Sequence, residues 1–441
     1  MGLPAQASLT RERRAWFVYD WANSAYSSTV VTLFLGPHLT AIAKTAAGPD
    51  GLIHPFGIPI DPRSLWGYLV SLSVLTQVFV LPLVGAIADY GRRKREILGA
   101  LAYTGAVATM CLFFVEGVNY LLGAALFLVA NLAFGASMVI YNAFLPELAP
   151  PEERDSISSK GWGVGYLGGG LLLALNLAFL SFAGNLGIGK GMAVRICMGS
   201  AGVWWALFTL IPMAGLKNRG AQRELPHGES MIRVGFRQFA ATVKGLRRYP
   251  KTLLFLAAYL TYNDAIQTVI AMAGQFGSDE LKMPMEQLTL AILMVQFVAF
   301  GGAMLFNWIA GKITAKRAVL AALAIWTGVL GYIYVAVSTP AEFFIMAALV
   351  GVVMGGSQAL SRSLFSLMIP EGKEAEYFSL YEISDKGTSW LGPLVFGLAL
   401  QMTGSYRLAA LSLAIFFVIG FALLSRVNVE AAAAEAHSAS Q

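Results

Sequence analysis

Residues 19–35 read YDWANSAYSSTVVTLFL. The second half of this stretch suits a bilayer, and the first half does not. Arg11, Arg13 and Arg14 precede it, and the apolar run from 15 to 37 has the length of a membrane crossing. Yet that run contains Asp20, Asn23, Ser24, Ser27 and Ser28. A charged side chain at mid-bilayer costs about 2.5–3.5 kcal/mol on insertion scales, so it tends to face a partner or a water-filled cavity. At about 100° per residue, Asn23, Ser24 and Ser27 all fall within about 60° of Asp20. One polar stripe on an otherwise apolar helix predicts a membrane helix whose stripe points into a bundle.

The rest of the chain agrees. Its 441 residues are 57% hydrophobic and 13% charged, with a mean hydropathy of +0.64, against about 25% charged residues in soluble domains. Lipid cannot hydrogen-bond a backbone, so every crossing must be a helix or part of a closed barrel. Barrel strands alternate over about 10 residues, whereas the runs here are roughly 20–25 residues long and apolar all round, the length a helix needs. Twelve such segments, numbered 1 to 12, lie near 15–37, 64–88, 96–116, 119–144, 159–183, 192–214, 252–275, 287–310, 317–338, 341–368, 377–401 and 406–426. The expected organisation is a six-helix half over 1–214, a basic linker over 215–251, a second half over 252–426 and a disordered tail over 427–441. The first run is too long for a signal peptide and lacks a small-residue cleavage site.

The net charge of +6 follows topology and is no nucleic-acid signal. Of 31 Lys and Arg residues, 23 fall in loops on the side of the N-terminus and 6 on the other, with Arg362 and Lys386 inside segments. That asymmetry predicts both termini in the cytoplasm. Cys111 and Cys197 lie within segments and none of the four histidines lies mid-segment, which predicts no disulfide framework and no metal site. No nucleophile–base constellation or phosphate loop is visible, so neither an enzyme nor a cofactor is expected.

The chain also repeats. With an offset of 240, ANSAYSSTV (22–30) faces YNDAIQTVI (262–270); with an offset of 220, GAS (135–137) faces GGS (355–357) and Pro150 faces Pro370. GYLGG (165–169) is echoed by SWLGP (389–393). Segments 1, 4 and 5 thus match 7, 10 and 11, the order of two parallel six-helix repeats.

Residues 85–95, GAIADYGRRKR, resemble the signature of the major facilitator superfamily. The resemblance implies that Gly85 lets helices pack closely, that Asp89 caps or pairs with a neighbouring helix end, and that Arg92 and Arg93 bridge the halves. One residue rather than two separates Asp89 from Gly91, and the second-half counterpart AGKITAKR (310–317) has Gly311 at the acidic position. Within that superfamily, YDWANSAYSS, YNAFLPELAPPEER (141–154), GWGVGYLGGG (161–170), YND (262–264) and GGSQALSRSLF (355–365) resemble the vacuole-effluxer-like family, whose fungal members export amino acids from the vacuole. The resemblance implies a transporter with a central cavity lined mainly by segments 1, 4, 7 and 10, in the plasma (inner) membrane of a bacterium. Amino acids are the leading substrate class; coupling to protons through Asp20, Asp264 or the acids of segment 11 is one option, and the coupling mode stays open. An exporter of drug-like or sugar-like solutes, or a sensor without turnover, is the alternative.

Several polar residues lie inside segments. Asp20 either titrates or binds a substrate ammonium, with Asn23, Ser24 and Ser27 beside it, or it latches to a basic residue. Asp264, with Asn263, Gln267 and Thr268 on one face of segment 7, either serves the cavity or makes a helix-packing hydrogen bond. Arg362, near Gln358, either holds a substrate carboxylate with its planar fork or pairs with Glu382 or Asp385. Glu382 and Lys386 have the i,i+4 spacing of a helical ion pair and, with Asp385, predict a gate or inter-half latch. Gly163, Gly165 and Gly168 fit the dinucleotide fingerprint, but no strand precedes them. Gly161, Gly165 and Gly169 instead form a small-residue ladder for close helix approach, with Gly301 and Gly302 of segment 8 as the expected partner across the halves.

Overall fold

The computed structural model describes residues 3–90, 93–218, 249–369 and 390–438, together with 237, 244–245 and 381. Its regular structure is helical, apart from an isolated antiparallel bridge between Ile53 and Ile60. Ten helices among the described residues are long and apolar enough to cross a membrane: Leu65–Gly85, Lys94–Phe114, Tyr120–Ala143, Lys160–Ala183, Lys190–Gly215, Pro250–Glu280, Met285–Ile313, Ala315–Val335, Pro340–Ser366 and Tyr406–Arg426. These are segments 2 to 10 and 12. Segment 1 belongs to a longer helical run that changes winding: Leu3–Ala25 is α, Tyr26–Phe34 is π and Leu35–Ala46 is α again. The polar stripe runs into this π stretch, where Thr32 Oγ1 donates to the carbonyl of Ser27, five residues back, at 2.9 Å. Such windings recur at functional sites. Segment 11 is described as Leu391–Thr403.

The packing repeats with the sequence. In the first half, segment 1 packs on 5 and 6, segment 4 on 2 and 3, and 3 on 6; in the second, 7 packs on 11 and 12, 10 on 8 and 9, and 9 on 12. Between the halves, segment 5 meets 8 and segment 2 meets 11. Shifting by six exchanges those two pairs, as a two-fold axis along the bundle requires.

Water does not drive helices together inside lipid, so close approach depends on small residues. The glycine ladder of segment 5 performs that task, but against a different partner from the one expected. A Cβ added to Gly165 would stand 2.8 Å from Ser24 Oγ, and one on Gly169 would stand 2.8 Å from Ser28 Oγ. The ladder therefore seats segment 1 within its own half. Gly301 has nothing within 4 Å, and Gly302 packs on the backbone of Val352, again within one half. A small face shows that some helix comes close but leaves open which one.

The two halves are tied together on the face away from the termini. Lys44 Nζ meets Asp279 Oδ2 at 3.2 Å. Gln275 Nε2 donates to Thr40 Oγ1 at 3.0 Å and to the Arg63 carbonyl at 2.7 Å. Trp66 Nε1 donates to the Ala271 carbonyl at 2.9 Å, and Ser64 Oγ to the Gly397 carbonyl at 3.2 Å. On the terminal face, two described ties run inside one half each: Arg13 Nε to the Leu148 carbonyl at 2.7 Å, and Lys251 Nζ to Glu435 at 2.5 Å. The tail, expected to be disordered, forms a helix over Val429–Ser438 that buries Ala432 and Ala436. A run of alanines packs closely, and Lys251 anchors it.

Candidate functional site

Toward the terminal face, side chains of segments 1, 4, 7 and 10 meet: Asn142 is next to the end of the crossing helix Tyr120–Ala143, and Arg362 lies about one turn from the end of Pro340–Ser366. Asp20 is buried, and Tyr141 Oη of segment 4 donates to its Oδ2 at 2.9 Å. The indole of Trp16 stacks on Tyr141 with ring centroids 4.3 Å apart, and Trp16 Nε1 donates to the Tyr141 carbonyl at 2.9 Å. This aromatic clamp fixes the phenol that reaches Asp20. The next residue, Asn142, points across the interface, where its Oδ1 accepts from Arg362 Nη2 at 2.6 Å.

Residues 141 and 361, like 142 and 362, are equivalent under the 220-residue offset. Ser361 Oγ lies 2.6 Å from Tyr262 Oη of segment 7, just as Tyr141 reaches Asp20 of segment 1. Each half therefore ties segment 4 or 10 to its own first helix, and the neighbouring residues of the two halves meet each other. Arg362 is only 7% exposed, and its Nε has no acceptor among the described residues. A guanidinium is donor-only and always charged. Among the described residues its hydrogen-bond partner is a neutral amide, that of Asn142.

The other expected residues separate into groups. Asn23 Nδ2 rests 3.3 Å from Met138 Sδ. Ser24 packs against Gly165, and Ser27 Oγ donates back to the Ser24 carbonyl at 3.2 Å. Ser28 reaches the other half, accepting from Gln296 Nε2 at 2.9 Å. Asn263 is fully buried and Gln267 half-buried. Gln358 Oε1 accepts from Tyr166 Oη at 3.1 Å, linking segments 10 and 5 across the interface.

Asp264 takes the helix-packing role: its Oδ2 accepts from Gly392 N at 2.9 Å, in the first turn of Leu391–Thr403. Amides at a helix start favour an anion. Its Oδ1 is buried without a hydrogen-bond partner among the described residues. Gly392 is needed there, since an added Cβ would stand 2.8 Å from Asp264 Oδ1.

Gly85 is half-buried, and Arg93 is exposed at the start of segment 3. Arg93 bridges nothing among the described residues, because the helix turns its neighbour inward instead. Lys94 is 4% exposed and pairs with Glu147 Oε1 at 2.7 Å. The Asp89 side chain and Arg92, Glu382, Asp385 and Lys386 lie outside the described residues.

Tyr141, Asn142 and Glu147 were not singled out as site residues, although all three stand in the quoted stretch 141–154. Neither was the far-face carboxylate Asp279, which accepts from both Lys44 and Tyr406 Oη, the latter at 2.8 Å. Polar residues at a segment end read as ordinary loop chemistry until a partner is seen.

Residues 9–437 match the family model described as Vacuole effluxer Atg22 like. An MFS-type transporter of Bacillus subtilis, YxiO, is 30% identical over 96% of each chain. Autophagy-related protein 22 of Yarrowia lipolytica is 28% identical over 88% of this chain and 79% of its own. The fold matches the xylose transporter XylE from E. coli in a partially occluded inward-open conformation, with a TM-score of 0.67 at 12% identity over 95% and 98% of the two chains. It also matches a bacterial homologue of the human lysosomal transporter Spinster, with a TM-score of 0.62 at 14% identity over 99% and 98%. These relatives are transporters and not enzymes. The chain belongs to the Vacuole effluxer Atg22 like family and is a multi-pass membrane transporter of the major facilitator type.

Proposed function

We propose that the protein carries a small zwitterionic solute, with amino acids the leading class, by alternating access across the plasma membrane of a bacterium. In this reading the chain crosses twelve times with both termini in the cytoplasm, as its basic residues favour. The single observation that carries the substrate class is Arg362: a buried guanidinium at the meeting of the halves, in contact with the neutral Asn142 and with no acceptor for Nε among the described residues. A substrate carboxylate would take its place beside that fork. Asp20, one residue from the Arg362 contact through Tyr141, supplies the complementary charge for an ammonium group. The far face is tied shut, so the solute enters from the terminal, cytoplasmic face in this state. Asp264 is the proposed proton site, because its Oδ1 can take a proton while Oδ2 keeps its helix-start contact.

The test is a thermal-shift screen of amino acids on purified protein, followed by flux into liposomes. Amino acids stabilise the wild type, and Arg362→Ala weakens that stabilisation about 10- to 100-fold, the value of a charge-assisted hydrogen bond. Asp264→Asn keeps binding but removes the dependence of flux on a pH gradient. Stabilisation that survives Arg362→Ala unchanged sinks the site assignment. Binding without flux identifies a sensor, and flux indifferent to a collapsed pH gradient removes proton coupling.

A further inference from the structure

Gly274 lies toward the far end of segment 7, in the helix Pro250–Gln275. It has no positive φ, so its backbone is one that any residue adopts. Alanine forms helices better than glycine, so the reason for glycine lies in what it touches. A Cβ added there would press on the carbonyl oxygen of Thr32 and stand 2.7 Å from that of Leu33 and 3.1 Å from Leu33 Cα. All three are main-chain atoms of segment 1, in the other half, and no rotamer change moves them aside. Gly168, Gly202, Gly302 and Gly355 also approach main chain this closely, but each does so inside its own half. A close approach inside a half is kept in every access state. One between the halves on the far side exists only while the far face is shut.

Segment 1 is wound to meet this contact. Thr32 and Leu33 belong to the π stretch Tyr26–Phe34, which ends with the N–H of Leu35 donating to the carbonyl of Val30, five residues back. Pro37 follows within the next helix, Leu35–Ala46, and has no N–H to give to the carbonyl of Leu33, four residues before it. The sequence thus deprives that carbonyl of its α-helical donor at the point where Gly274 presents a bare Cα. On either side of this seam, segment 7 bonds across the halves. The Ala271 carbonyl accepts from Trp66, and Gln275 donates to Thr40 Oγ1 and to the Arg63 carbonyl. All three bonds stretch if the two main chains are held apart.

We propose that Gly274 is the positioning residue of the far gate: its missing side chain lets segments 1 and 7 close main chain on main chain, and a side chain there holds the far face open. The proposal rests on the alternating-access reading above and adds to it a residue that touches no solute. With the far face open the seam is parted, so a methyl group at position 274 meets nothing there. Substitution therefore leaves the protein folded and moves the balance between its two access states.

The experiment uses the full chain in phosphatidylcholine nanodiscs, with Cys111 and Cys197 replaced by alanine, and measures distances between pairs of spin labels. One pair, at Thr45 and Lys282, spans the far face. A second, at Lys160 and Lys312, spans the terminal face, where segment 5 starts and segment 8 ends. Gly274→Ala is expected to raise the ratio of open to closed far face about tenfold, the size of an overpacking penalty, while the terminal pair draws together. Gly302→Ala crowds the main chain of Val352 inside the second half; it lowers the melting temperature and leaves both distance distributions as in wild type. Unchanged far-face distances in Gly274→Ala, loss of folded protein on that change, or an equal shift in Gly302→Ala would overturn the proposal. If the far pair lengthens and the terminal pair does not shorten, Gly274 still seals the far face, and it is the alternating-access reading that fails.

Discussion

Removing Lys94 tests whether the first half is pinned at its terminal face by a buried charge. Lys94 Nζ and Glu147 Oε1 are 2.7 Å apart, with side chains 4% and 8% exposed. At that separation and an effective dielectric near 20, the gross attraction is about 6 kcal/mol, most of which offsets the cost of taking both charges out of water. Lys94→Met removes the buried ammonium that Glu147 contacts, and breaking such a pair costs about 3–5 kcal/mol. For a cooperative unit the size of one half, this lowers the melting temperature by on the order of 10 °C. Lys94→Met combined with Glu147→Leu removes both charges and keeps the volume, so most of the loss returns. The assay is thermal unfolding of purified protein, read as a double-mutant cycle. If both single variants melt within about 1 °C of wild type, the pair is not the pin inferred here. A double variant as weak as the two singles added together would mean that shape rather than charge holds the site.

The seat of segment 1 should be intolerant of bulk: Gly165→Leu drives its side chain into Ser24 and abolishes folded yield, whereas Gly301→Ala, with nothing within 4 Å, melts like wild type. On the far face, Lys44 is 47% exposed, so its pair with Asp279 contributes only about 0.5 kcal/mol. Asp279→Asn therefore shifts the ratio of open to closed far face about twofold, measured as the distance distribution between spin labels at Thr45 and Lys282. Burial opposes ionisation of Asp61, but hydrogen bonds and charge from Arg63 outweigh it and hold the carboxyl below its usual range. A lowered folded value stabilises above the unfolded value and is lost as pH falls through the folded one. The protection of the 47–64 amides, taken relative to free-amide exchange at each pH, should thus be flat from pH 7 to 5 and fall below about pH 4. Lys251→Ala should release the helix Val429–Ser438, seen as proteolysis near residue 430, because Lys251 is its charged anchor on segment 7.

The fold was legible because lipid leaves a chain few options. Apolar runs of crossing length, basic residues concentrated on one side, and short repeats at offsets of 220 and 240 together predicted two six-helix halves, and ten crossing helices and the pairing of segments followed. What stayed hidden was partnership. The RRKR run at 92–95 offers three arginines and a lysine, and only the helical phase at the start of segment 3 makes Lys94 the residue turned inward. Asp264 read as a residue on a polar face of segment 7. Its partner is the backbone N–H of Gly392, which carries no side-chain signal at all. The far-face contacts largely end on backbone carbonyls, at Ala271, Arg63 and Gly397, and are equally invisible in residue identity.

That backbone character has a mechanical consequence. Where Trp66, Gln275 and Ser64 donate to carbonyls of the other half or its edge, no ionisation state or solute can compete directly for the bond; only movement of the helices breaks it. The bridge toward the terminal face is different. Arg362 to Asn142 joins two side chains, and an anionic group outcompetes a neutral amide for a guanidinium. A solute can therefore release the halves from each other at their centre while the far face still holds. The repeat places residues 142 and 362 at equivalent positions, so the bridge lies close to the two-fold axis that relates the halves, and each half contributes one partner to it. Breaking the bridge without solute, by Asn142→Ala, should remove the amide that Arg362 contacts. If the solute replaces the amide, this variant binds amino acids more tightly than wild type, because no internal competitor remains. Weaker binding would instead make Asn142 a part of the solute's own shell.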